Sequence, residues 1–176
     1  MTKHGRVRCA LAKFLIVATV MVSGCATLMR TSTSIRYTSY GDEFTQTYYE
    51  QIEFGSRKRH LAFRVTPGSS SFVVGYHYMG SDWLFIDRLT LLADGQRISL
   101  TDGRHDRRVA SGAGELGGQG VREWVTWKPS ASDMGILAAA NEIRYQVRGS
   151  RGKLERELDS NQVDALHTFI AQRGRS

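Results

Sequence analysis

Residues 89–100 read LTLLADGQRISL, and this segment sets the architecture expected for the rest of the chain. Asp94-Gly95 is a preferred centre for a two-residue type I′ turn, because both central positions of that turn need a positive φ. Apolar and β-branched residues flank it on both sides, as they do in strands. We therefore predict that residues 89–93 pair antiparallel with residues 96–100.

Strand-like segments recur along the chain, separated by Gly, Pro, Ser and Asp residues that favour turns. In residues 121–127, the side chains of Val121, Glu123, Val125 and Trp127 are expected to share one face. Residues 101–120 are rich in Gly and Arg and are predicted to be a loop between strands. The predicted strands are residues 45–54, 60–66, 71–79, 83–93, 96–100, 121–127, 142–148 and 153–158.

Two segments have helical spacing. Residues 131–141 predict a short helix capped by Ser130 or Ser132. A second helix is predicted after the cap Asp159-Ser160, with an apolar stripe of Val163, Leu166, Phe169 and Ile170. We expect an α+β fold of mainly antiparallel β structure, sandwich-like or a curved sheet, with the C-terminal amphipathic helix packed on the sheet.

The first 25 residues have the composition of a secretory leader. A basic start precedes the apolar run 14–22, and the segment closes with Val22-Ser23-Gly24-Cys25. The run is short for a membrane span, which takes about 20 apolar residues. The closing tetrapeptide resembles the lipobox of bacterial lipoproteins, in which an aliphatic and two small residues precede a cysteine. This resemblance covers the leader alone, and no family is recognised for the remainder.

The resemblance implies cleavage before Cys25, a diacylglyceryl group on its sulfur and acylation of the new amino terminus. Several acyl chains would anchor the protein stably in a membrane. Ala26 takes the place of the aspartate that commonly retains such proteins at the inner membrane, so outer-membrane delivery facing the periplasm is implied. Residues 1–24 are then a signal peptide, residues 25–34 a lipidated tether, and residues 35–176 one domain. The alternative is cleavage by an ordinary signal peptidase, which leaves a soluble periplasmic protein with a free thiol.

The net charge of the whole chain overstates how basic the mature domain is. The formal net charge is +7, from 24 basic and 17 acidic side chains. Four of the basic residues lie in the leader, so its removal leaves 20 against 17, a net charge of +3. A strongly basic domain is typical of nucleic-acid binding, and we therefore expect no nucleic-acid partner.

The predicted loop 101–120 contains the residue types of a catalytic site. Asp102, His105 and Ser111 could serve a periplasmic hydrolase, and residues 112–117 match the letters of GxGxxG. The glycine match lies between predicted strands, whereas a dinucleotide fingerprint needs a strand before it and a helix after it. The histidine and the cysteines lack the spacing of a metal site. We expect no catalytic residue, cofactor or metal here, with the hydrolase kept as an alternative.

The remaining function hypotheses concern binding. Aromatic side chains are enriched in recognition surfaces, and the candidate surface consists of Tyr76, Tyr78, Trp83, Trp124 and Trp127. The leading hypothesis is a non-enzymatic binding or structural module, whose partners are the membrane through Cys25 and an envelope protein, glycan or lipid. The other alternative is a carrier of small apolar ligands, with a cavity under the C-terminal helix.

Overall fold

The computed structural model describes residues 34–42, 47–66, 69, 71–111 and 119–173. The predicted signal peptide 1–24, Cys25 and the glycine-rich residues 112–118 lie outside the described residues. The described part contains β1 (Ser34–Asp42), β2 (Thr47–Gly55), β3 (Arg59–Val65), β4 (Phe72–Gly80), β5 (Ile86–Ala93), β6 (Gln96–Leu100), β7 (Arg104–Ser111), β8 (Gln119–Trp127), α1 (Ala131–Ala139), β9 (Ile143–Gly149), β10 (Gly152–Glu157) and α2 (Ser160–Arg173).

The strands form two antiparallel sheets. The larger has the order β1-β2-β3-β4-β8-β7, and the smaller has the order β10-β9-β5-β6. The chain crosses to the smaller sheet after β4, returns to the larger sheet at β7, and crosses again through α1. Tyr76 of β4 and Tyr145 of β9 meet between the sheets, with ring centroids 6.1 Å apart. The predicted class, mainly antiparallel β with two helices, is confirmed.

The predicted hairpin forms with the expected register. Leu89 lies opposite Leu100 and Ala93 opposite Gln96. Asp94 and Gly95 have φ of 45° and 83°, as a type I′ turn requires. The Asp94 carboxylate also accepts hydrogen bonds from the backbone N–H groups of Asn141 and Glu142 at 2.8 to 3.0 Å. The turn is therefore tied to the segment that leads into β9.

The predicted strand 83–93 is too long at its start. Strand β5 begins at Ile86, because Phe85 has a left-handed φ of 53° and interrupts the extended backbone. The backbone N–H groups of Leu84, Phe85 and Ile86 donate to the Glu123 carboxylate at 2.5, 2.9 and 3.1 Å. A buried side chain of β8 thus determines where the chain enters the smaller sheet.

The predicted loop 101–120 is also wrong at residues 104–111 and 119–120, which belong to strands. Residues 104–111 form β7, which pairs with β8 from Arg104 opposite Thr126 to Ser111 opposite Gln119. The sequence of β7, with three Arg and one Asp, does not by itself favour a strand. The strand forms because its backbone pairs with β8. This strand is an edge of the larger sheet.

One hydrophobic cluster joins both sheets and both helices. The predicted stripe of α2 is buried throughout, and Phe169 packs edge-on against Phe72 of β4. Ser130 caps α1, and Asp159 with Gln162 forms a reciprocal capping pair at α2. None of the helices in the described ranges is long and apolar enough to cross a membrane.

Candidate functional site

The face of the larger sheet that points away from the core carries buried polar side chains. Gln51, Glu53 and His60 are only 3%, 6% and 8% exposed. Outward positions of a sheet normally face water, so this burial is unusual. The side chains border a depression of about 510 Å³, which we call the sheet-face basin. The residues that line the sheet-face basin are Arg36, Tyr49, Gln51, Glu53, Arg57, His60, Arg64, His77 and Trp124.

A chain of hydrogen bonds crosses the sheet-face basin from strand to strand. Arg64 donates through Nε and Nη2 to Oε1 of Gln51 at 3.1 and 3.0 Å. Gln51 donates through Nε2 to Oε1 of Glu53 at 2.5 Å. Arg36 of β1 pairs with Oε2 of Glu53 at 2.5 Å. These bonds stabilise the buried carboxylate and hold the two guanidinium groups on either side of it.

Two histidines from adjacent strands meet at the floor of the sheet-face basin. His60 lies opposite His77 in the register of β3 and β4, and their ring centroids are 4.8 Å apart. Burial lowers the pKa of both imidazoles, that of His77 to about 4. Both rings are therefore neutral at pH 7.

The protons of the His60 ring can be assigned from its neighbours. Its Nδ1 lies 3.1 Å from the carbonyl oxygen of Ser56, which can only accept a hydrogen bond, so Nδ1 carries the hydrogen. Nε2 then presents a lone pair, 3.8 Å from Oε2 of Glu53. On the second ring, Nδ1 of His77 is buried without a hydrogen-bond partner in the described part of the chain.

Trp124 closes one side of the sheet-face basin. The indole has room because Gly75, diagonally across from it on β4, has no side chain: an added Cβ there would be 2.6 Å from Cζ2 of the indole. The Arg64 guanidinium lies 5.5 Å from the Trp124 ring centroid and 4.0 Å from that of Tyr49. With neutral imidazoles, the three arginines against one carboxylate leave the sheet-face basin with two positive charges.

The side chains that line the sheet-face basin determine what it can bind. They include a carboxylate and two imidazoles but no serine, threonine or cysteine. Among the described residues, no three His, Cys, Asp or Glu side chains converge as a metal site requires. The free groups include a donor, Nε of Arg36, which is buried without a partner in the same described ranges, and an acceptor, the lone pair on Nε2 of His60. The three arginine side chains can only donate hydrogen bonds, so the sheet-face basin favours a ligand that brings acceptors.

A second cavity of about 420 Å³ opens between the two sheets, and we call it the inter-sheet cleft. Its wall includes Phe54, Leu154 and the two tyrosines that meet between the sheets, and the first turn of α2 closes one end. Exposed Lys58, Arg59 and Arg156 stand at its mouth. The inter-sheet cleft and the sheet-face basin thus lie on opposite faces of the larger sheet.

The structure distributes the five predicted aromatic residues over several locations. Tyr76 and Tyr78 line the inter-sheet cleft, and Trp124 lines the sheet-face basin. Trp127 is buried in the core, 3% exposed. Trp83 is half-buried and stacks against Phe85. The five residues do not form one continuous surface.

The predicted hydrolase residues are not brought together. Asp102 is exposed and accepts a hydrogen bond from Thr101, and His105 lies 3.2 Å from a guanidinium nitrogen of Arg107. Ser111 is at the opposite end of β7, six residues further on. At the rise of an extended strand this separates Ser111 from His105 by about 20 Å along the backbone. The side chain of Ser111 lies outside the described part of the structure.

Sequence reasoning missed the sheet-face basin. A usable signal exists: Gln51 and Glu53 alternate with Ile52 and Phe54, so two polar residues share the outward face of one strand. Pairing β3 with β4 adds His60 and His77 as direct neighbours. The signal appears only when the strands are aligned, because no single segment contains the cluster.

Neither a family model, nor a curated protein, nor a solved structure matches this chain.

Proposed function

We propose that this chain is a lipid-anchored lipoprotein of the bacterial outer membrane whose periplasm-facing domain binds another envelope component without catalysing a reaction. The lipobox-like tetrapeptide ending at Cys25 supports the anchor and the compartment. The sheet-face basin supports the binding role. The partner that fits it is an acidic envelope glycan, which offers carboxylate or phosphate groups together with hydroxyl oxygens.

The observation that carries this proposal is the burial of ionisable groups on an outward sheet face. Folding alone does not require this burial, because Glu53 and His60 could point into water from the same strand positions. Desolvating an imidazole disfavours its charged form, and such perturbed groups concentrate at functional sites. The hydrogen-bond chain from Arg64 to Arg36 holds the donors in place before a ligand arrives, which lowers the entropy cost of binding.

Charge complementarity selects the class of ligand. The arginines of the sheet-face basin outnumber its single carboxylate, and Arg57 extends the positive region to the exposed turn between β2 and β3. Planar guanidinium groups bind carboxylates and phosphates in pairs of parallel hydrogen bonds. A neutral apolar ligand would leave these donors unsatisfied.

The test uses the full-length protein in its own cells, with a photoreactive residue at Tyr49 in the sheet-face basin and, as control, at exposed Arg97 of β6. We expect a glycan adduct from position 49 and none from position 97. Arg57→Glu should abolish the adduct, whereas Lys58→Glu, the next residue of the same turn but at the inter-sheet cleft, should preserve it. Equal adducts from both positions, or equal effects of both substitutions, would contradict the site.

The anchor is checked in the same cells. Mass spectrometry of the amino-terminal peptide should find acylated Cys25, and Cys25→Ser should release the protein from the membrane fraction. An unmodified Cys25 at the amino terminus would instead establish the soluble periplasmic alternative.

The two alternative functions concern other regions. A hydrolase would need Asp102, His105 and Ser111 to meet, and the extended β7 separates His105 from Ser111. A carrier of apolar ligands would use the inter-sheet cleft, which lies beside the start of the C-terminal helix.

A further inference from the structure

The inter-sheet cleft has an apolar wall inside a charged mouth. Phe54 and Leu158 are almost fully buried, and half-buried Leu154 stands beside them. The volume of about 420 Å³ falls in the range of small-molecule sites. A packed core normally leaves few voids larger than a water molecule, so an opening of this size between the sheets has room for a ligand.

The polar groups at the inter-sheet cleft are mostly hydrogen-bond donors. Gln162 is 1% exposed and its Oε1 accepts from the backbone N–H of Asp159 at 3.0 Å, which fixes the orientation of the amide. The amide Nε2 is then buried without a hydrogen-bond partner among the described residues. A buried donor left unpaired costs about 1–3 kcal/mol, so an acceptor from a ligand would be stabilising here.

The tyrosine hydroxyls of the cleft also remain donors. Burial raises the pKa of Tyr76 to about 12, and the positive charges of Arg59 and Arg156 reduce this shift. Burial raises the pKa of Tyr145 as well. Both hydroxyls are therefore protonated at pH 7, and Arg59 and Arg156 are close enough to Tyr76 to act on it electrostatically.

The mouth of the cleft carries a net positive charge. Lys58, Arg59 and Arg156 stand there with one acidic neighbour, Glu157. The Arg59 guanidinium lies 5.3 Å from the centroid of the Tyr78 ring, which holds it over the opening. Cations at the rim and apolar side chains inside are complementary to a molecule with a negatively charged head and a hydrophobic body.

We propose that the inter-sheet cleft binds an organic anion, with its carboxylate or phosphate between Arg59 and Arg156 and its hydrophobic body against Phe54, Leu154 and Leu158. This site is separate from the sheet-face basin, which lies on the other face of the larger sheet and has no comparable apolar wall. The inference holds whether or not the sheet-face basin binds a glycan.

The test is calorimetric titration of the full-length protein reconstituted in phosphatidylcholine vesicles, with protein-free vesicles as the blank. Octyl phosphate is the probe, and inorganic phosphate and octyltrimethylammonium are the comparisons. We expect saturable binding of octyl phosphate, binding of inorganic phosphate weaker by at least about tenfold, and no saturable binding of the cation. This pattern would show that binding requires both the hydrophobic body and the negative charge of the ligand.

Two variants locate the binding. Arg156→Glu should weaken octyl phosphate binding at least about tenfold, because it places a like charge at the mouth. Gln162→Glu keeps the capping acceptor at α2 but replaces the buried donor by a carboxylate, and should weaken binding similarly. Arg97→Glu, at an exposed position of the same sheet, is the control and should have no effect. Far-UV circular dichroism confirms that each variant is folded.

Several results would overturn the inference. Binding of inorganic phosphate as tight as that of octyl phosphate would identify a simple phosphate site. Equal weakening by Arg97→Glu and Arg156→Glu would indicate an effect of general surface charge. A heat signal identical to that of protein-free vesicles would exclude the site.

Discussion

Glu123 shows how one side chain can determine the path of the backbone. It is fully buried on the core side of β8, where most neighbours are apolar, and accepts three consecutive backbone N–H groups from residues 84–86. Arg107 lies 3.4 Å from its Oε2 and donates to the carbonyl of Ile86 at 3.5 Å. The carboxylate therefore compensates for the left-handed Phe85 and connects the two sheets.

We predict that Glu123→Gln destabilises the fold by roughly 2–4 kcal/mol, because the amide has one acceptor atom and turns a donor toward other donors. Urea unfolding followed by tryptophan fluorescence measures the change in free energy. Glu157→Gln is the control: Glu157 is an exposed residue of β10, and the substitution should leave the unfolding midpoint unchanged. An unchanged midpoint in Glu123→Gln would contradict the structural role.

The pH dependence of stability should report on His77. Burial lowers the pKa of His77 to about 4, with the nearby His60 and Arg122 acting in the same direction. Between pH 6.5 and about 4, the unfolded chain binds a proton at this residue that the folded chain does not, so the free energy of unfolding falls as the pH falls. We predict a smaller fall in His77→Gln, measured as urea midpoints across that range. Parallel curves for the two proteins would refute a half-buried His77 that stays neutral across this range.

Gly95 of the hairpin turn and Gly135 of α1 allow the effect of backbone conformation on stability to be compared between two elements. An added Cβ at Gly95 or at Gly135 would meet nothing within 4 Å, so neither position is crowded. Their backbones differ, because Gly95 has a φ of 83° in the hairpin turn and Gly135 lies inside α1. Any difference between alanine variants therefore comes from the backbone.

We predict that Gly95→Ala destabilises the protein by about 1–2 kcal/mol, the cost of a left-handed conformation for a residue with a Cβ. Gly135→Ala should instead stabilise it by roughly 0.5–1 kcal/mol, because alanine loses less backbone entropy in a helix. Thermal unfolding monitored by circular dichroism gives both values. A Gly95→Ala variant at least as stable as the unsubstituted protein would show that the turn does not require its positive φ.

The elements that could be predicted are those whose signals are local. The Asp94-Gly95 turn, the strand predicted over residues 142–148 and the apolar stripe of α2 each depend on residues close in sequence, and the structure confirms all three. Strand β7 and the start of β5 depend on distant partners. β7 needs β8 beside it, and β5 is shortened by a carboxylate 37 residues further along the chain.

At the scale of the whole molecule, the candidate sites could be predicted only in fragments. Tyr76, Tyr78 and Trp124 were found because aromatic residues are conspicuous, and all three line a cavity. The polar residues that line the sheet-face basin with Trp124 were not found, since Gln51, Glu53, His60 and His77 resemble ordinary surface residues until three strands are aligned. Sheet pairing brings together side chains that the sequence separates, and it is the step that local patterns specify least.

The turn between β2 and β3 contributes to both cavities. Arg57 lines the sheet-face basin, whereas Lys58 and Arg59 line the inter-sheet cleft, so successive residues of one hairpin tip serve opposite faces of the larger sheet. Inserting or deleting a single residue there would exchange the sides on which these cations point. The length of this turn is therefore constrained by both cavities. An insertion or deletion that changes the cations of one cavity also changes those of the other.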